Sequence, residues 1–533
     1  MRSDVRWNPR EGLTPVERKI VKRLTRTGRL YAFLRENRGR LFDEPFQSRL
    51  AEAYADAAGG RPPVPPALLM MVTLLQAYGG ISDAEAVHLA LFDKRWQMVL
   101  DCMGCEEAPF SQGLLAESRF RIIRHDLDRE LIRRTVELAK ETGGFGYKAL
   151  RVALDSAPIW GAGRVEDTFN LIGHGLMMCV ACAADVWELE SDDAVAAAKL
   201  QIVGKSSVKA ALDIDWDDTE ARARALDRLL ADVTLFRKWL AEQPREVRPE
   251  NKVAYDALDA AMTQLDRLVE QDVEPDPERS GGHRVIDGTA EDRQVSVVDP
   301  EMRHGRKSKS TTINGYKGHI AHDIDNELVL DGLAEPANKR EHAAADVMRP
   351  NIEYFAPVSE LHIDRGFLSA GWVTELDRAG IPVFSKPWNP TNHGLYPKSA
   401  FVINMQAETV ACPGGEVVPF PSKRGSDGRR QINFTQCSTC PVRSKCTTSK
   451  RGRTIVLHEA EDFLQRLQAA KRTPEGRERL RDRVSVEHGL AHVLVYAPHK
   501  ARYVGARKNT FALRRAGAIV NLQAAHRLAR EAA

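Results

Sequence analysis

The spacing of apolar and polar positions separates a helical first quarter of the chain from a longer stretch in which helices and strands mix. Up to about Gly146 the periodicity is helical. Ser82-Asp83-Ala84-Glu85 reads as a capping box opening a helix that runs to about Leu100, and Ser111 caps another passing through Phe120-Arg121-Ile122-Ile123. Residues 101–110 form a short break between them. After Gly143-Gly144, the run Ala149-Leu150-Arg151-Val152-Ala153-Leu154 reads as a strand ending at Asp155. Residues 171–187 are apolar but interrupted by His174, and are divided between elements. Residues 219–242 have strong helical periodicity, and residues 272–282 form a Pro-, Gly- and charge-rich linker. Strand patterning resumes at Tyr316-Lys317-Gly318-His319-Ile320-Ala321, turns at Asp325-Asn326 and returns through Leu328-Val329-Leu330-Asp331 as a hairpin. A helix over residues 341–348, a strand Leu361-His362-Ile363 ending at Asp364, a helix capped by Ser369 and a helical stretch over residues 477–495 complete the pattern. The order fits an α/β protein.

A chain of 533 residues exceeds what one hydrophobic core serves, so several domains are expected. The charged N-terminus lacks a signal-like apolar region, and residues 67–78 are too short to cross a bilayer, so a cytoplasmic protein with no membrane association is expected. No phosphate-binding P-loop occurs, which argues against ATP dependence. The net charge of +3 conceals segregation: residues 183–278 hold 23 acids against 12 bases, residues 421–453 hold 9 bases against 1 acid, and residues 471–533 hold 14 against 5. Such separation suits a basic working face with an acidic segment kept apart, although solvated helix surface would give the acidic stretch equally well.

Chemistry concentrates in a few acids. Asp155 and Asp364 each close a strand and Glu487 lies on a helical stretch, which together is the oxygen-rich donor set that a pair of hard divalent cations needs. Phosphodiester cleavage or transfer is the chemistry this suggests. Asp at a strand end is also a common turn residue, and Glu475, Glu478 and Asp482 compete with Glu487. Arg483 lies one helical turn before Glu487, positioned for a phosphate or for an ordinary ion pair. The basic run Arg303, Arg306, Lys307 and Lys309 reads as a phosphate-contacting segment, with a solvated loop as the alternative.

These residues fall in ordered motifs: Leu154-Asp155-Ser156, then Asp299-Pro300-Glu301-Met302-Arg303-His304-Gly305-Arg306-Lys307-Ser308-Lys309-Ser310 leading to Asn314-Gly315-Tyr316-Lys317-Gly318-His319, then His362-Ile363-Asp364-Arg365-Gly366-Phe367, and finally Arg483-Val484-Ser485-Val486-Glu487. From Lys148 onward the chain resembles the DDE transposases of bacterial insertion sequences, in the group related to insertion sequence four. Where that group often shows a Tyr before the Arg and a Lys beyond the Glu, this chain has Leu480 and Leu494. The resemblance implies Asp155, Asp364 and Glu487 as catalytic ligands of Mg²⁺ or Mn²⁺, an RNase H-like core with a mixed sheet, and a helical N-terminal domain serving DNA recognition. It also selects Glu487 over its neighbours, and Gly489-Leu490-Ala491 beyond it permits close packing. Expected partners are double-stranded DNA, as element ends and target, and a second copy in a dimer or higher synaptic assembly. A catalytically inert DNA-binding descendant and a nuclease that cuts without joining are the other readings.

Cys412, Cys437, Cys440 and Cys446 follow the spacing C-x24-C-x2-C-x5-C in a Gly-, Arg- and Lys-rich setting, as a closed Zn²⁺ site requires. Reduced thiols without metal are the alternative. Cys102 and Cys105, and Cys179 and Cys182, are read as packing residues rather than ligands. The expected organisation is a helical DNA-binding domain over 1–145, catalytic core over 146–186, 283–400 and 456–533, a helical acidic insertion over 187–282, and a small zinc-ribbon-like insertion with four cysteine ligands over 401–455.

Overall fold

The computed structural model describes residues 5–25, 28–54, 64–203, 207–306, 311–387, 391–425, 428–497 and 499–532. Eight helices lead: α1 (Pro15–Arg23), α2 (Arg29–Leu41), α3 (Glu44–Ala51), α4 (Pro66–Gly79), α5 (Asp83–Phe92), α6 (Lys94–Leu100), α7 (Gln112–Arg124) and α8 (Leu127–Gly143). Their starts are written in short polar side chains: Thr14, Asp43, Ser82 and Ser111 each accept a backbone N–H from the first turn. The single helix expected from Ser82 to Leu100 is two, because Asp93 turns extended and its carboxylate caps the N–H groups of Arg95 and Trp96. Every residue of α4 from Pro66 to Ala77 is buried, so this helix is the axis around which the others pack.

Strand β1 (Leu150–Trp160) does not stop at Asp155 as the apolar run suggested. It continues because a long antiparallel neighbour pairs with it as far as Trp160. A helical insertion follows: α9 (Thr168–Trp187), α10 (Ser191–Ala197), α11 (Val208–Leu212), α12 (Thr219–Glu242) and α13 (Lys252–Asp272). Residues 168–187 are one helix, not several elements, since His174 finds a partner in the Glu166 carboxylate instead of breaking the pattern. On length and composition α9 could cross a membrane, yet 56% of its apolar window is buried against the insertion's own core, with Phe236 and Leu265 among its members. The charged segment after α13 is no open linker: β2 (Val273–Pro275) and β3 (His283–Val285) form a hairpin there.

A mixed six-stranded sheet carries the rest. To β1 are added β4 (Arg303–Arg306), β5 (Thr312–Asp323), β6 (Leu328–Pro336), β7 (Val358–Ile363) and β8 (Val383–Phe384), in the order β4-β5-β1-β7-β8, with β6 also on β5. The β5–β6 hairpin turns where Asp325-Asn326 indicated. Between β6 and β7 lies α14 (Glu341–Glu353), and before β8 lies α15 (Gly371–Arg378). Ser369 does not cap α15; Asp346 of α14 reaches across to accept from Gly371 and Trp372.

The cysteine-bearing segment builds its own small core from Phe401, Val410, Ile432, Phe434 and Ile455. Its elements are a three-stranded sheet of β9 (Val402–Asn404), β10 (Thr409–Ala411) and β11 (Val417–Pro419), a hairpin-like pair β12 (Arg430–Asn433) and β13 (Thr454–Leu457), and one helical turn, α16 (Arg443–Cys446). Then come α17 (Glu461–Ala470), α18 (Pro474–Asp482), α19 (Val484–Tyr496) and α20 (Ala506–Glu531). The expected stretch over 477–495 is thus two helices meeting at Arg483.

Helix α20 closes the edge of the sheet. An edge strand leaves backbone groups unpaired, and here the Asn521 side chain both donates to the Val329 carbonyl (2.8 Å) and accepts from its N–H (2.7 Å), while Thr510 accepts from Ala334 (2.9 Å). Arg514 lies buried beside them, bonded to Asp331 at 2.8 Å, Asp126 at 2.9 Å and Asp128 at 3.3 Å. These bonds tie α20, the start of α8 and β6 into one block, and the apolar core runs from Trp7 through the sheet to Ala525.

Candidate active site

Strands β1 and β7 run parallel, with Arg151 opposite Glu360, Ala153 opposite His362 and Leu154 opposite Ile363. Asp155 and Asp364 are the next residues along each chain. β7 ends there and Asp364 turns into a short 3-10 segment, Arg365–Phe367, while β1 runs on. Ala153 and Ala157 pack with Val486 and Leu490 of α19, so alternation along the strand aims Asp155 at that helix. Glu487 sits in the first turn of α19. The helix lies close because residue 489 is glycine: a Cβ there would come within 2.6 Å of the His322 ring on β5. Ser485 Oγ also meets His322 Nδ1 at 3.2 Å, and burial pushes that imidazole down to about 4.

Arg483 bridges the pieces. Its guanidinium is 2.6 Å from Glu487 Oε1 and 3.4 Å from Asp155 Oδ1. The Asp155 carboxyl is raised above its ordinary range, first by burial and further by the charges of Glu487 and Asp364, against the opposing pull of the Ser156 N–H and Arg483. Asp155 therefore feels two carboxylates from distant parts of the sequence, and Arg483 bridges it to one of them, Glu487. A carboxylate set left with surplus negative charge and partly satisfied by a guanidinium fits hard divalent cations in both donor type and charge.

Among the described residues, the one group whose ligand atoms all lie within 4.8 Å of one another is a neighbour of this triad: Glu360, His362 and Asp482. It sits one strand repeat back on the same face. Arg151 already occupies it, bonded to Glu360 (2.9 Å), Asp325 (2.8 Å) and Asp482, while His362 pairs with Glu360 at 2.8 Å. Burial would raise the Glu360 carboxyl, but the bonds from His362 and Arg151 override it and hold the group at about 2. This cluster is balanced, and it fastens the end of α18, hence Arg483, to the sheet. Asp482, a competitor of Glu487 on sequence grounds, belongs to this brace.

Glu341, at the start of α14, was not legible from spacing. Its Oε1 accepts from Ser156 Oγ at 2.8 Å, and a Cβ on residue 366 would fall 1.8 Å from its Oε2. A fourth carboxylate is thus wedged between the residues that follow Asp155 and Asp364. Only the glycine in Asp364-Arg365-Gly366 makes room for it, and that was the signal available in the sequence.

The basic run is not the continuous loop anticipated. Arg303 to Arg306 form strand β4, and Arg303 is 6% exposed, its guanidinium spent on Asp292 (2.9 Å) and the carbonyls of Pro300 and Met302. Arg303 is therefore a structural cation, not a surface one. Arg306 is exposed at the strand's end, and Lys307 and Lys309 lie outside the described residues.

All eight cysteines are free thiols. Burial raises the Cys446 thiol, and Cys437, Cys412 and Cys440 push it further in the same direction, so the four are gathered in one small region. Gly414 lies against two of them, 2.5 Å from Cys440 Sγ and 3.6 Å from Cys412 Sγ when a Cβ is placed on it, and the Arg453 N–H points at Cys437 Sγ (3.3 Å). A tetrahedral thiolate site holds its sulfurs about 3.8 Å apart. No three of these sulfurs all lie within 4.8 Å of one another, so they would have to draw in.

Two family models match segments of the chain: a transposase DDE domain over residues 411–526 and a transposase domain (DUF772) over residues 22–121. The first contains Arg483, Glu487 and the cysteines; the second covers α2 to most of α7. No curated protein and no solved structure matches the chain. Together the two matches support a DDE transposase, which implies an enzyme of DNA transposition using divalent metal.

Proposed function

We propose that this protein is the transposase of an insertion sequence in the group related to insertion sequence four. It binds the element's terminal inverted repeats, cleaves a DNA strand there and joins the end to target DNA. The observation that carries the reading is the approach of Asp364 and Glu487 to Asp155, each delivered by a different element, with Arg483 joining Asp155 to Glu487. The antiparallel β1, β5 and β6, followed by α14 and a parallel β7, support an RNase H-like core.

Asp155, Asp364 and Glu487 would hold two Mg²⁺ or Mn²⁺ ions, which when bound activate a water or 3′-hydroxyl and stabilise the leaving oxygen. What the chain itself contributes is placement. β1 and β7 fix two carboxylates side by side, the Arg151 brace sets the start of α19, and Glu341 buttresses the loop after Asp364. Arg483, which in the absence of cations bonds Asp155 and Glu487, would be placed to hold a phosphate oxygen of the scissile strand were those carboxylates given over to metal. The four cysteines hold structural Zn²⁺, the N-terminal helices take part in recognising DNA ends, and two copies meet in the synaptic complex.

The test is a strand-cleavage and joining assay on oligonucleotides carrying the terminal repeats, with Mg²⁺ or Mn²⁺. Asp155→Asn, Asp364→Asn and Glu487→Gln are each expected to lose on the order of a thousandfold or more in cleavage while still binding DNA. Ordinary cleavage by any of them would remove that residue from the site. Metal analysis of protein purified without chelator should return one zinc per chain; none would leave the thiols as simple packing groups.

A further inference from the structure

Where the N-terminal helices meet the end of β1 and the start of α20 lies a cavity of about 390 Å³. Its polar wall is supplied by Tyr496, Lys500, Arg502, Asn509 and Arg515, and among the described residues no Asp or Glu lines it. Backbone bonds hold that wall in place: the Trp160 N–H donates to the His499 carbonyl, and the Ala501 N–H donates to the Trp160 carbonyl, both at 2.6 Å. Arg502 is anchored by a 3.0 Å bond to the Ile81 carbonyl.

Arg515 is the anomaly. It is only 3% exposed, yet among the described residues no carboxylate pairs with it and its buried Nε has no hydrogen-bond partner. Phe511 lies under its guanidinium at 5.1 Å, the neutral Tyr503 hydroxyl accepts a hydrogen bond from it, and its charged neighbours are further cations, Arg502 and Arg119. Arg119 is neutralised by Asp83 at 2.6 Å; nothing equivalent serves Arg515. Burial, with those two arginines adding repulsion, holds its pKa below the ordinary value. An isolated buried charge costs several kcal/mol unless a counter-charge accompanies it, and a cavity edged by Lys500, Arg502 and Arg515 supplies the place for one. A buried guanidinium whose Nε–H lacks a partner at the wall of such a cavity is suited to a planar or tetrahedral oxyanion.

We propose that this cavity is an anion site and that its occupant is a backbone phosphate of DNA. The inference rests on the transposase reading for the identity of the phosphate, not for the site itself. Its walls come from both matched segments, Ala77 and Gly80 on one side and Lys500 to Arg515 on the other, so a seated phosphate would fasten the N-terminal helices to the catalytic half.

The full-length protein decides it through two measurements: duplex binding by fluorescence anisotropy across a salt series, and thermal melting with inorganic phosphate. Arg515→Met should weaken duplex binding about tenfold at low salt and reduce the slope of log Kd against log salt by about one. Phosphate should raise the melting temperature of the parent chain and not of this variant. Because Arg515 is buried, a Lys500→Gln/Arg502→Gln double variant at the exposed rim carries the same expectation if Arg515→Met fails to fold. Unchanged slopes in folded variants overturn the proposal while leaving transposition intact. A phosphate-dependent melting shift with an unchanged slope makes this a small-anion or acidic-side-chain site, and overturns the DNA assignment. If the parent chain binds no duplex, the transposase reading fails, and the phosphate shift alone judges the cavity.

Discussion

Arg514 and Asp155 sit in two charged regions built from the same residue types and arranged in opposite ways. At Arg514 two guanidiniums, its own and that of Arg507, meet Asp126 and Asp128, Arg514 also bonds Asp331, and neighbouring polar groups such as Asn521 and Thr510 are bonded as well. At Asp155 one guanidinium, Arg483, serves two carboxylates, and burial, with the charges of Glu487 and Asp364, pushes the Asp155 carboxyl up. The first arrangement has the partners of a completed structure; the second is short of positive charge, as a site awaiting cations is. Arg515, next to Arg514 on the same helix and just as buried, shows the inverse imbalance. Surplus of either sign, more than charge itself, separates a working site from a brace.

The comparison breaks if stability does not follow it. Arg514→Met should cost about 3–5 kcal/mol in denaturant unfolding, because it leaves buried carboxylates uncompensated. Asp155→Asn should leave the melting temperature unchanged or raise it, since it removes a carboxylate whose ionisation the fold opposes; a large loss of stability there would make Asp155 structural. Next in size, Asn521→Leu should cost about 2–4 kcal/mol by leaving both backbone groups of Val329 unpaired. The smallest effect is a pH response near the site. His322 is held at about 4, below its unfolded value near 6.5, so the unfolded chain binds the proton more readily. Its contribution should be full above about pH 6.5 and fade as pH falls toward 4, and amide exchange in α19 should rise over that window in the parent chain and not in His322→Gln.

How much of this was readable beforehand depended on whether a signal was local. Ser111 capping α7, the limits of α12 and the turn at Asp325-Asn326 are written in neighbouring residues, and they came through. The stop placed at Asp155 was wrong because β5, more than 150 residues away, sustains the strand. Ser369 lost its helix to Asp346, and Arg303 went inside to meet Asp292, each decided by a tertiary partner. The acids Asp155, Asp364 and Glu487 were identified through ordered motifs rather than spacing, whereas Glu341 and Arg515 emerge only once distant segments are folded together.

The way the insertion leaves and rejoins the catalytic half has a practical consequence. The Glu166 N–H bonds to the Val295 carbonyl at 3.0 Å, so the two ends of an excursion of well over a hundred residues stand side by side, and α9 belongs to the excursion's own interior. A shortened enzyme trimmed at Trp187 would strand the greasy side of α9 in water and precipitate. One spliced from just before Glu166 to just after Val295 would remove the whole appendage through its neck, but would take Asp292 with it and leave the buried Arg303 guanidinium without its carboxylate.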